Sequence, residues 1–123
     1  MQKRKILLAD DSRTALMMER ALLVGSPYDV IIATDGVDAV QQAVQSVPDL
    51  IILDVVMPNM DGFEACRQLR RLDATRDTPI IMVTTRGEPE NVERGYEVGC
   101  NDYVTKPING PELLSKVRNL LGE

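Results

Sequence analysis

Five short apolar segments recur along the 123-residue chain, and each is continuous rather than alternating with polar residues. Continuous runs of this kind are typical of strands that are buried on both faces of a sheet. The segments are Ile6–Ala9, Val30–Ala33, Leu50–Leu53, Ile80–Val83 and Tyr103–Val104. They predict a parallel sheet of five strands.

Between these runs, apolar residues recur every three or four positions, which is the period of a helix with one apolar face. One such series is Val37, Val40, Val44 and Val47, and another is Leu113, Leu114, Val117, Leu120 and Leu121. The chain is therefore expected to alternate strand and helix five times.

Capping residues mark several helix boundaries. A first helix is expected over residues 12–24, because the glycine and proline of segment 25–27 terminate helices. A third helix is expected to begin near Asp61, which has capping-box spacing to a glutamate. A fourth is expected from about Pro89, and the last follows Asn109, a residue that caps helices well.

This alternation predicts an α/β fold, (βα)5, in which right-handed crossovers place helices on both faces of the sheet. Residues 1–123 are expected to form a single domain of three layers. Ligands bind such sheets beyond the carboxyl ends of the strands. The residues that follow each strand are therefore the candidate functional residues.

The composition excludes several classes of site. The chain has no histidine and a net charge of -5, with 44% hydrophobic and 27% charged residues. Catalytic sites and zinc sites that use histidine are therefore impossible. The acidic balance argues against direct binding to nucleic acid. The largest basic cluster is expected to be a solvated face and consists of Arg67, Arg70, Arg71 and Arg76.

The apolar runs also bear on location. None approaches the roughly 18 residues that a membrane helix needs, and the first is too short for a signal peptide. A cytoplasmic protein without membrane insertion is expected. Cys66 and Cys100 are accordingly expected to be free thiols, and a disulfide between them is the alternative.

Polar residues of complementary chemistry follow four of the five predicted strands. They are Asp10 and Asp11 after the first strand, Asp54 after the third, Thr84 and Thr85 after the fourth, and Lys106 and Pro107 after the fifth. Each alone is explained by turn or cap chemistry. Together they place acidic, hydroxyl and basic groups at one edge of the sheet.

Three carboxylates at one edge repel one another. Two unit charges about 4 Å apart cost about 4 kcal/mol at an effective dielectric of about 20. Lys106 supplies one compensating charge, and Mg²⁺, a hard cation that takes oxygen ligands, is expected to supply the rest. A carboxylate beside a divalent cation is a competent nucleophile toward a phosphoryl group and would form an aspartyl phosphate.

Four segments together resemble the receiver domain of two-component response regulators. They are Ala9-Asp10-Asp11, the segment LDVVMPNMDG at residues 53–62, Val83-Thr84, and Tyr103-Val104-Thr105-Lys106-Pro107. Their order and spacing match the family over essentially the whole chain. The resemblance implies the flavodoxin-like strand order 2-1-3-4-5 and a single-domain form like that of chemotaxis regulators.

The resemblance also implies roles for individual residues. Asp54 would accept the phosphoryl group. Asp11 and Asp54 would bind Mg²⁺ directly together with the backbone carbonyl of Val56, and Asp10 would act close by or through water. Lys106 would pair with Asp54 and later with the phosphoryl group, and its bond to the following proline would be cis.

A switch is implied as well. Thr84 would bind the phosphoryl group, and such a bond contributes about 1.5–3 kcal/mol, which shifts a two-state equilibrium roughly 10- to 150-fold. Tyr103 would change its side-chain conformation, and the surface of helix 4, strand 5 and helix 5 would control a partner protein.

The phosphoryl donor would be a histidine kinase or a histidine phosphotransfer protein. The chain would be a monomer or a weak phosphorylation-dependent dimer, and it would catalyse only its own phosphorylation and dephosphorylation.

Some positions depart from the family pattern. Val56 and Arg86 occupy places that tune phosphoryl lifetime, and because valine cannot orient an attacking water, slow self-dephosphorylation is expected. Arg86 either reaches the phosphoryl group or points to solvent. Thr85 stands where a smaller residue is frequent, so narrower donor access is expected. On helix 1, the apolar run of residues 15–18 is expected to be mostly core, with a docking patch for the donor as the alternative.

Other interpretations stay open. A phosphatase of the haloacid dehalogenase type would have its nucleophile first in a D-x-D motif, whereas Asp10-Asp11-Ser12 follows the first strand. The same two aspartates would repel the phosphate of a bound flavin. A receiver-like interaction module that is never phosphorylated is a further alternative.

If the 123 residues are the full polypeptide, a diffusible switch or relay is expected. Otherwise the chain is the receiver domain of a larger regulator or hybrid kinase.

Overall fold

The computed structural model describes residues 3–23, 27–85 and 89–123. The strands are β1 (Arg4–Ala9), β2 (Tyr28–Ala33), β3 (Leu50–Asp54), β4 (Ile80–Thr84) and β5 (Asp102–Thr105). The helices are α1 (Arg13–Leu23), α2 (Gly36–Ser46), α3 (Gly62–Arg71), α4 (Pro89–Val98) and α5 (Gly110–Leu121). The predicted alternation is confirmed, and the predicted end of α1 at residues 24–26 lies outside the described residues. Over the described ranges, no helix is both long and apolar enough to cross a membrane.

The strands form one parallel sheet in the order β2-β1-β3-β4-β5. This is the flavodoxin-like order that the resemblance implied. Ala9 pairs with Leu53, and Asp54 pairs with Val83 on the other side of β3. The register therefore brings the residues that end β1, β3 and β4 to the same edge of the sheet.

Successive side chains of the central strands are buried on opposite faces of the sheet. Leu7 and Ile51 belong to the core beneath α2 and α3, whereas Ile6 and Leu50 belong to the core beneath α1 and α5. All four side chains are fully buried, and burying one of this size contributes about 1.5–3 kcal/mol. The strands are continuous in apolar character because both of their faces are covered.

The buried face of α2 is made of small residues. It consists of Gly36, Ala39 and Ala43. Val37 and Val44, whose spacing predicted the helix, are exposed. A side chain at Gly36 would overlap the backbone carbonyl of Met60, so α2 approaches its neighbours more closely than a valine face allows. The helical period was correct, but it did not identify the buried face.

Side-chain caps mark the starts of α2, α3 and α5. Asp61 accepts a hydrogen bond from the Glu64 N–H at 2.9 Å at the start of α3. Asn109 accepts one from the Glu112 N–H at 3.0 Å at the start of α5. Both predicted starts are confirmed. Asp35 caps α2 in the same way.

Arg70 corrects the prediction that the basic cluster is a solvated face. Its guanidinium donates hydrogen bonds to Asn101 Oδ1 and to the backbone oxygens of Thr75, Arg76, Thr78 and Gly99. The planar group has five N–H donors and can serve several acceptors at once. Arg70 therefore ties the end of α3 to the segments that enter β4 and β5, whereas Arg71 and Arg76 are exposed as predicted.

The two cysteines are free, as predicted, and both are buried. Cys66 Sγ donates to the Val98 carbonyl oxygen at 3.5 Å. Burial raises the pKa of Cys66, and it raises the pKa of Cys100 to about 12. Thiols with raised pKa values are unreactive at neutral pH, so both behave as small core residues.

Gly62 lies where α3 begins against the end of β3. A Cβ at this position would overlap the Asp54 carbonyl oxygen and would lie 2.9 Å from the Val55 Cα. The Gly62 N–H donates to the Val55 carbonyl oxygen at 2.8 Å. A residue without a side chain is therefore required directly behind Asp54.

We expect Gly62→Ala to lower the free energy of unfolding by about 1–3 kcal/mol, because overpacking against backbone forces the chain to move. Gly110→Ala is the matched control, since it also opens a helix but its Cβ would meet only the flexible Leu22 side chain. Urea unfolding followed by circular dichroism measures both variants. Equal stabilities would contradict the requirement for glycine behind Asp54.

Candidate functional site

The carboxyl ends of four strands bring the predicted site residues together. Asp10 directly follows β1, Asp54 and Thr84 end β3 and β4, and Lys106 directly follows β5. The Asp10 N–H donates to the Ala33 carbonyl oxygen at 3.1 Å, and the Lys106 N–H donates to the Thr84 carbonyl oxygen at 2.7 Å. The backbone of the sheet thus fixes the points from which these side chains extend. The Lys106–Pro107 peptide bond is cis.

Asp10, Asp11 and Asp54 form an acidic cluster. One carboxylate oxygen from each lies within 4.8 Å of the others. Asp10 is 1% exposed and Asp54 is 4% exposed, whereas Asp11 reaches solvent. The Ser12 N–H donates to Asp10 Oδ1 at 2.9 Å and holds that carboxylate in place. Buried charges of one sign at this separation repel strongly, so the cluster depends on nearby cations.

The Lys106 ammonium lies between the two buried carboxylates. Its Nζ is 2.9 Å from Asp10 Oδ2 and 3.3 Å from Asp54 Oδ2. Burial alone would lower the pKa of Lys106, but its hydrogen bond to Asp10 and the charge of Asp54 outweigh burial and raise the pKa. The ammonium is therefore a fixed positive charge of the site.

One ammonium does not fully compensate two buried carboxylates. Burial raises the pKa of Asp54 to about 6, and the charge of Asp10 adds to the increase while Lys106 opposes it. A divalent cation beside Asp54 would lower this pKa, because opposite charge favours the ionised form. The electrostatics of the site therefore favour a bound cation at neutral pH.

Two buried atoms at this edge have no hydrogen-bond partner among the residues that the structure describes. They are Asp54 Oδ1 and Thr84 Oγ1. Buried polar atoms are nearly always partnered, so such atoms mark positions where a ligand binds. Carboxylate oxygens are the ligands that Mg²⁺ takes in proteins. The residues present therefore fit Mg²⁺ beside Asp54.

Val56 lies two residues after Asp54, in the loop that follows β3. The Val55 N–H continues the sheet by donating to the Val83 carbonyl oxygen at 3.0 Å. The Val56 side chain is 67% exposed, whereas Met57 is buried and packs in the core. The role of the Val56 carbonyl as a metal ligand stays a prediction.

The remaining predicted residues lie around β4 and β5. Thr85 is exposed, and Arg86 lies outside the described residues. Tyr103 is half-buried, and its ring meets Tyr96 edge-on with centroids 6.1 Å apart. The Lys116 ammonium lies 5.0 Å from the Tyr103 ring centroid. The roles of these residues in switching or access stay predictions.

The apolar run of α1 is divided between core and surface. Leu16 is buried and Ala15 is half-buried, whereas Met17 and Met18 are 72% and 66% exposed. The core therefore takes less of this run than predicted. The two exposed methionines leave the docking interpretation open.

The sequence interpretation missed one charged residue near the site. Glu19 lies on the buried face of α1, between Leu16 and Leu23, and is only 4% exposed. A signal was present in the sequence, because spacings of three and four residues from these leucines place Glu19 on the apolar stripe of the helix. The structure adds this carboxyl group to the surroundings of Lys106.

Comparison with known proteins identifies the family. Residues 6–118 match the family model described as the response regulator receiver domain. The chain belongs to this family. Receiver domains act in two-component signal transduction, bind Mg²⁺ at an acidic pocket and take phosphoryl groups from histidine kinases.

Individual relatives extend over nearly the whole chain. It is 40% identical to the DNA-binding dual master transcriptional regulator RpaA of Synechocystis, an alignment that covers 95% of this chain and 48% of RpaA. The chemotaxis response regulator CheY4 of Vibrio cholerae aligns with a TM-score of 0.90 at 36% identity, covering 96% of this chain and 98% of that chain.

The receiver domain of sensor histidine kinase PA1611 from Pseudomonas aeruginosa has a magnesium ion coordinated in its active site cleft. It aligns with a TM-score of 0.91 at 30% identity, covering 98% of this chain and 99% of that chain. The chain spans about half the length of the first curated relatives it matches. The receiver fold is therefore shared over nearly the whole chain with proteins of different overall size.

The raised pKa of Asp54 predicts how stability depends on pH without divalent cations. The folded protein holds the Asp54 proton more tightly than the unfolded chain, so stability falls as pH rises from about 4 to about 6, and the loss persists above that range. We expect Asp54→Asn to raise the free energy of unfolding at about pH 8, by on the order of 2 kcal/mol, and to change it little at about pH 4.

Urea unfolding in the presence of a chelator measures this effect at the two pH values. Asp77→Asn is the control, because it removes the same charge from an exposed turn. A destabilised Asp54→Asn variant at the higher pH would show that Lys106 compensates the buried carboxylates in full.

Proposed function

We propose that this chain is a phosphorylation-dependent signalling switch, in which Asp54 accepts a phosphoryl group from a partner histidine kinase or histidine phosphotransfer protein. The observation that carries the proposal is the buried Asp54 Oδ1, which lies beside Asp10, Asp11 and Lys106 and has no hydrogen-bond partner among the described residues. Membership of the receiver family supports it. These 123 residues contain no histidine, so the phosphohistidine donor lies outside them.

In the proposed reaction, a carboxylate oxygen of Asp54 attacks phosphorus, and the bond from phosphorus to the donor's imidazole nitrogen breaks. The electron pair of that bond returns to the nitrogen. Asp10, Asp11 and Asp54 would hold Mg²⁺, which would supply positive charge beside the phosphoryl oxygens. Lys106 keeps its bond to Asp10 and transfers its second hydrogen bond from Asp54 to a phosphoryl oxygen. The chain thereby catalyses only its own phosphorylation and dephosphorylation.

Thr84 is the proposed switch. Its hydroxyl is buried and has no partner in the described part of the chain, so it is free to donate to a phosphoryl oxygen. A hydrogen bond to a charged group contributes about 1.5–3 kcal/mol, which shifts a two-state equilibrium roughly 10- to 150-fold. Tyr103 lies on the neighbouring strand, so the proposed output is a changed surface over α4, β5 and α5.

The downstream partner is proposed to be a protein that reads this surface. The relative RpaA is a DNA-binding transcriptional regulator of which this chain spans 48%, which favours a second form of the proposal. In that form, the switch acts on an attached output domain rather than on a diffusing partner. The acidic balance of the chain, with a net charge of -5, supports a protein partner over direct contact with nucleic acid.

Phosphorylation of Asp54 is tested with Mg²⁺ and a small acyl phosphate. We expect the wild-type protein to gain the mass of one phosphoryl group and Asp54→Asn to gain none, because an amide is not a nucleophile toward phosphorus at neutral pH. Asp77→Asn, which alters an aspartate outside the cluster, is expected to react like the wild type. Intact-mass spectrometry measures all three. A folded wild-type protein that binds Mg²⁺ and gains no mass would favour the unphosphorylated interaction module.

Slow loss of the phosphoryl group is a separate expectation. The exposed Val56 side chain has no polar atom with which to orient an attacking water. We expect Val56→Gln to shorten the lifetime of the aspartyl phosphate several-fold, since a carboxamide can position water near the phosphoryl group. Val44→Gln, the same change on the exposed face of α2, is expected to leave it unchanged. A lifetime of seconds in the wild-type protein would contradict slow self-dephosphorylation.

A further inference from the structure

Glu19 is a buried acid that the receiver motif does not include. It lies on α1, eight positions after Asp11, and it is 4% exposed. Its Oε2 is enclosed and has no hydrogen-bond partner among the described residues. A buried carboxyl without a partner is costly, so an apolar residue would stabilise this position better if packing were its only role.

Glu19 and Lys106 line the same cavity. The cavity has a volume of about 270 Å³ and lies between α1 and the segment after β5. Its other walls are apolar: Ala15, Met18, Leu22, Pro107 and Ile108. Glu19 is buried and the Lys106 side chain is only 26% exposed, so their charges are screened less than those of fully exposed groups.

The charges around Glu19 come from three separate strand ends. Asp10 after β1 and Asp54 at the end of β3 act against its ionisation, whereas Lys106 after β5 favours it. Burial is the largest influence, and together these effects raise the pKa of Glu19 to about 7. The ionisation of Glu19 therefore depends on the same charged residues that form the phosphoryl-acceptor site.

We propose that Glu19 is a positioning residue of this site, whose carboxylate offsets the Lys106 ammonium and thereby strengthens Mg²⁺ binding at Asp10, Asp11 and Asp54. The inference rests on the proposed function, since it concerns the same metal and acceptor site.

The physical reason is a competition between cations. The Lys106 ammonium is bonded to two of the three carboxylates of the cluster, so it repels a divalent cation that needs the same oxygens. An ammonium has three N–H donors, and two of them are assigned to Asp10 and Asp54. A negative charge at Glu19 partly cancels the electrostatic repulsion between the Lys106 ammonium and Mg²⁺. The same charge also attracts Mg²⁺ directly. By linkage, Mg²⁺ binding must favour the ionised form of Glu19 to the same extent.

The test compares Mg²⁺ affinity in Glu19→Gln, Glu19→Leu and the wild type. Isothermal titration of the whole chain with magnesium chloride measures it at about pH 8 and about pH 6, on either side of the ionisation of Glu19 near 7. At the higher pH, both variants are expected to bind Mg²⁺ roughly three- to tenfold more weakly, a tenfold change being about 1.4 kcal/mol. At the lower pH, the difference from the wild type is expected to shrink, because Glu19 is then mostly protonated.

Glu97→Gln is the matched control, since it removes an equal charge from an exposed position on α4. It is expected to bind Mg²⁺ like the wild type at both pH values. Thermal unfolding without metal is measured in parallel, and both Glu19 variants are expected to be as stable as the wild type or more stable. Unchanged Mg²⁺ affinity in stable Glu19 variants would overturn the proposal and leave Glu19 a structural residue.

Failure of this inference is distinguishable from failure of the proposed function. Phosphorylation of wild-type Asp54 is read by intact mass, whereas the role of Glu19 is read from Mg²⁺ affinity and its pH dependence. A wild-type protein that gains no phosphoryl group, but whose Glu19 variants bind Mg²⁺ more weakly, would overturn only the phosphorylation. A wild-type protein that binds no Mg²⁺ would overturn both.

Discussion

The contact on which the site depends is the Lys106 ammonium held between the buried carboxylates of Asp10 and Asp54. These carboxylates come from two adjacent strands, and the ammonium comes from the segment after the strand at one edge of the sheet. Without it, two buried negative charges would face each other with no compensation, which is strongly destabilising. With it, one positive charge stands against a cluster of three acids, so the site stays negative and selects cations.

That contact in turn requires a precise backbone. Parallel pairing of Ala9 with Leu53 aligns the carboxyl ends of β1 and β3 at one edge of the sheet. A register shift of one residue would turn the side chains of the shifted strand to the opposite face of the sheet. Gly62 lets α3 start directly behind Asp54, where any side chain would meet the Asp54 carbonyl. The packing of the apolar strands therefore determines where the charged residues at their carboxyl ends lie.

Much of this arrangement was predictable from sequence, because strands covered on both faces are continuous apolar runs and parallel strands end at one edge. The errors arose where local pattern and tertiary contact disagree. The spacing of the valines predicted α2 correctly, but the residues buried against the sheet are the small ones, including Ala39 and Ala43, because the helix packs closely. Arg70 belonged to a charge cluster by sequence, yet its acceptors are backbone oxygens brought near only by folding. Glu19 was readable on the apolar stripe of α1, but its relation to Lys106 depends on how α1 packs.

The same charges that make the site competent also reduce the stability of the empty fold. Asp54 and Glu19 both have raised pKa values because burial disfavours their ionised forms, and Thr84 keeps a buried hydroxyl without a partner in the described chain. Each of these groups would gain a partner or a compensating charge when a cation and a phosphoryl group bind. A ligand that binds only the folded state stabilises that state. A ligand that also provides partners for buried polar groups that lack them can favour a different conformation of the protein. The incomplete compensation around Lys106 is therefore the physical basis of the proposed response to phosphorylation.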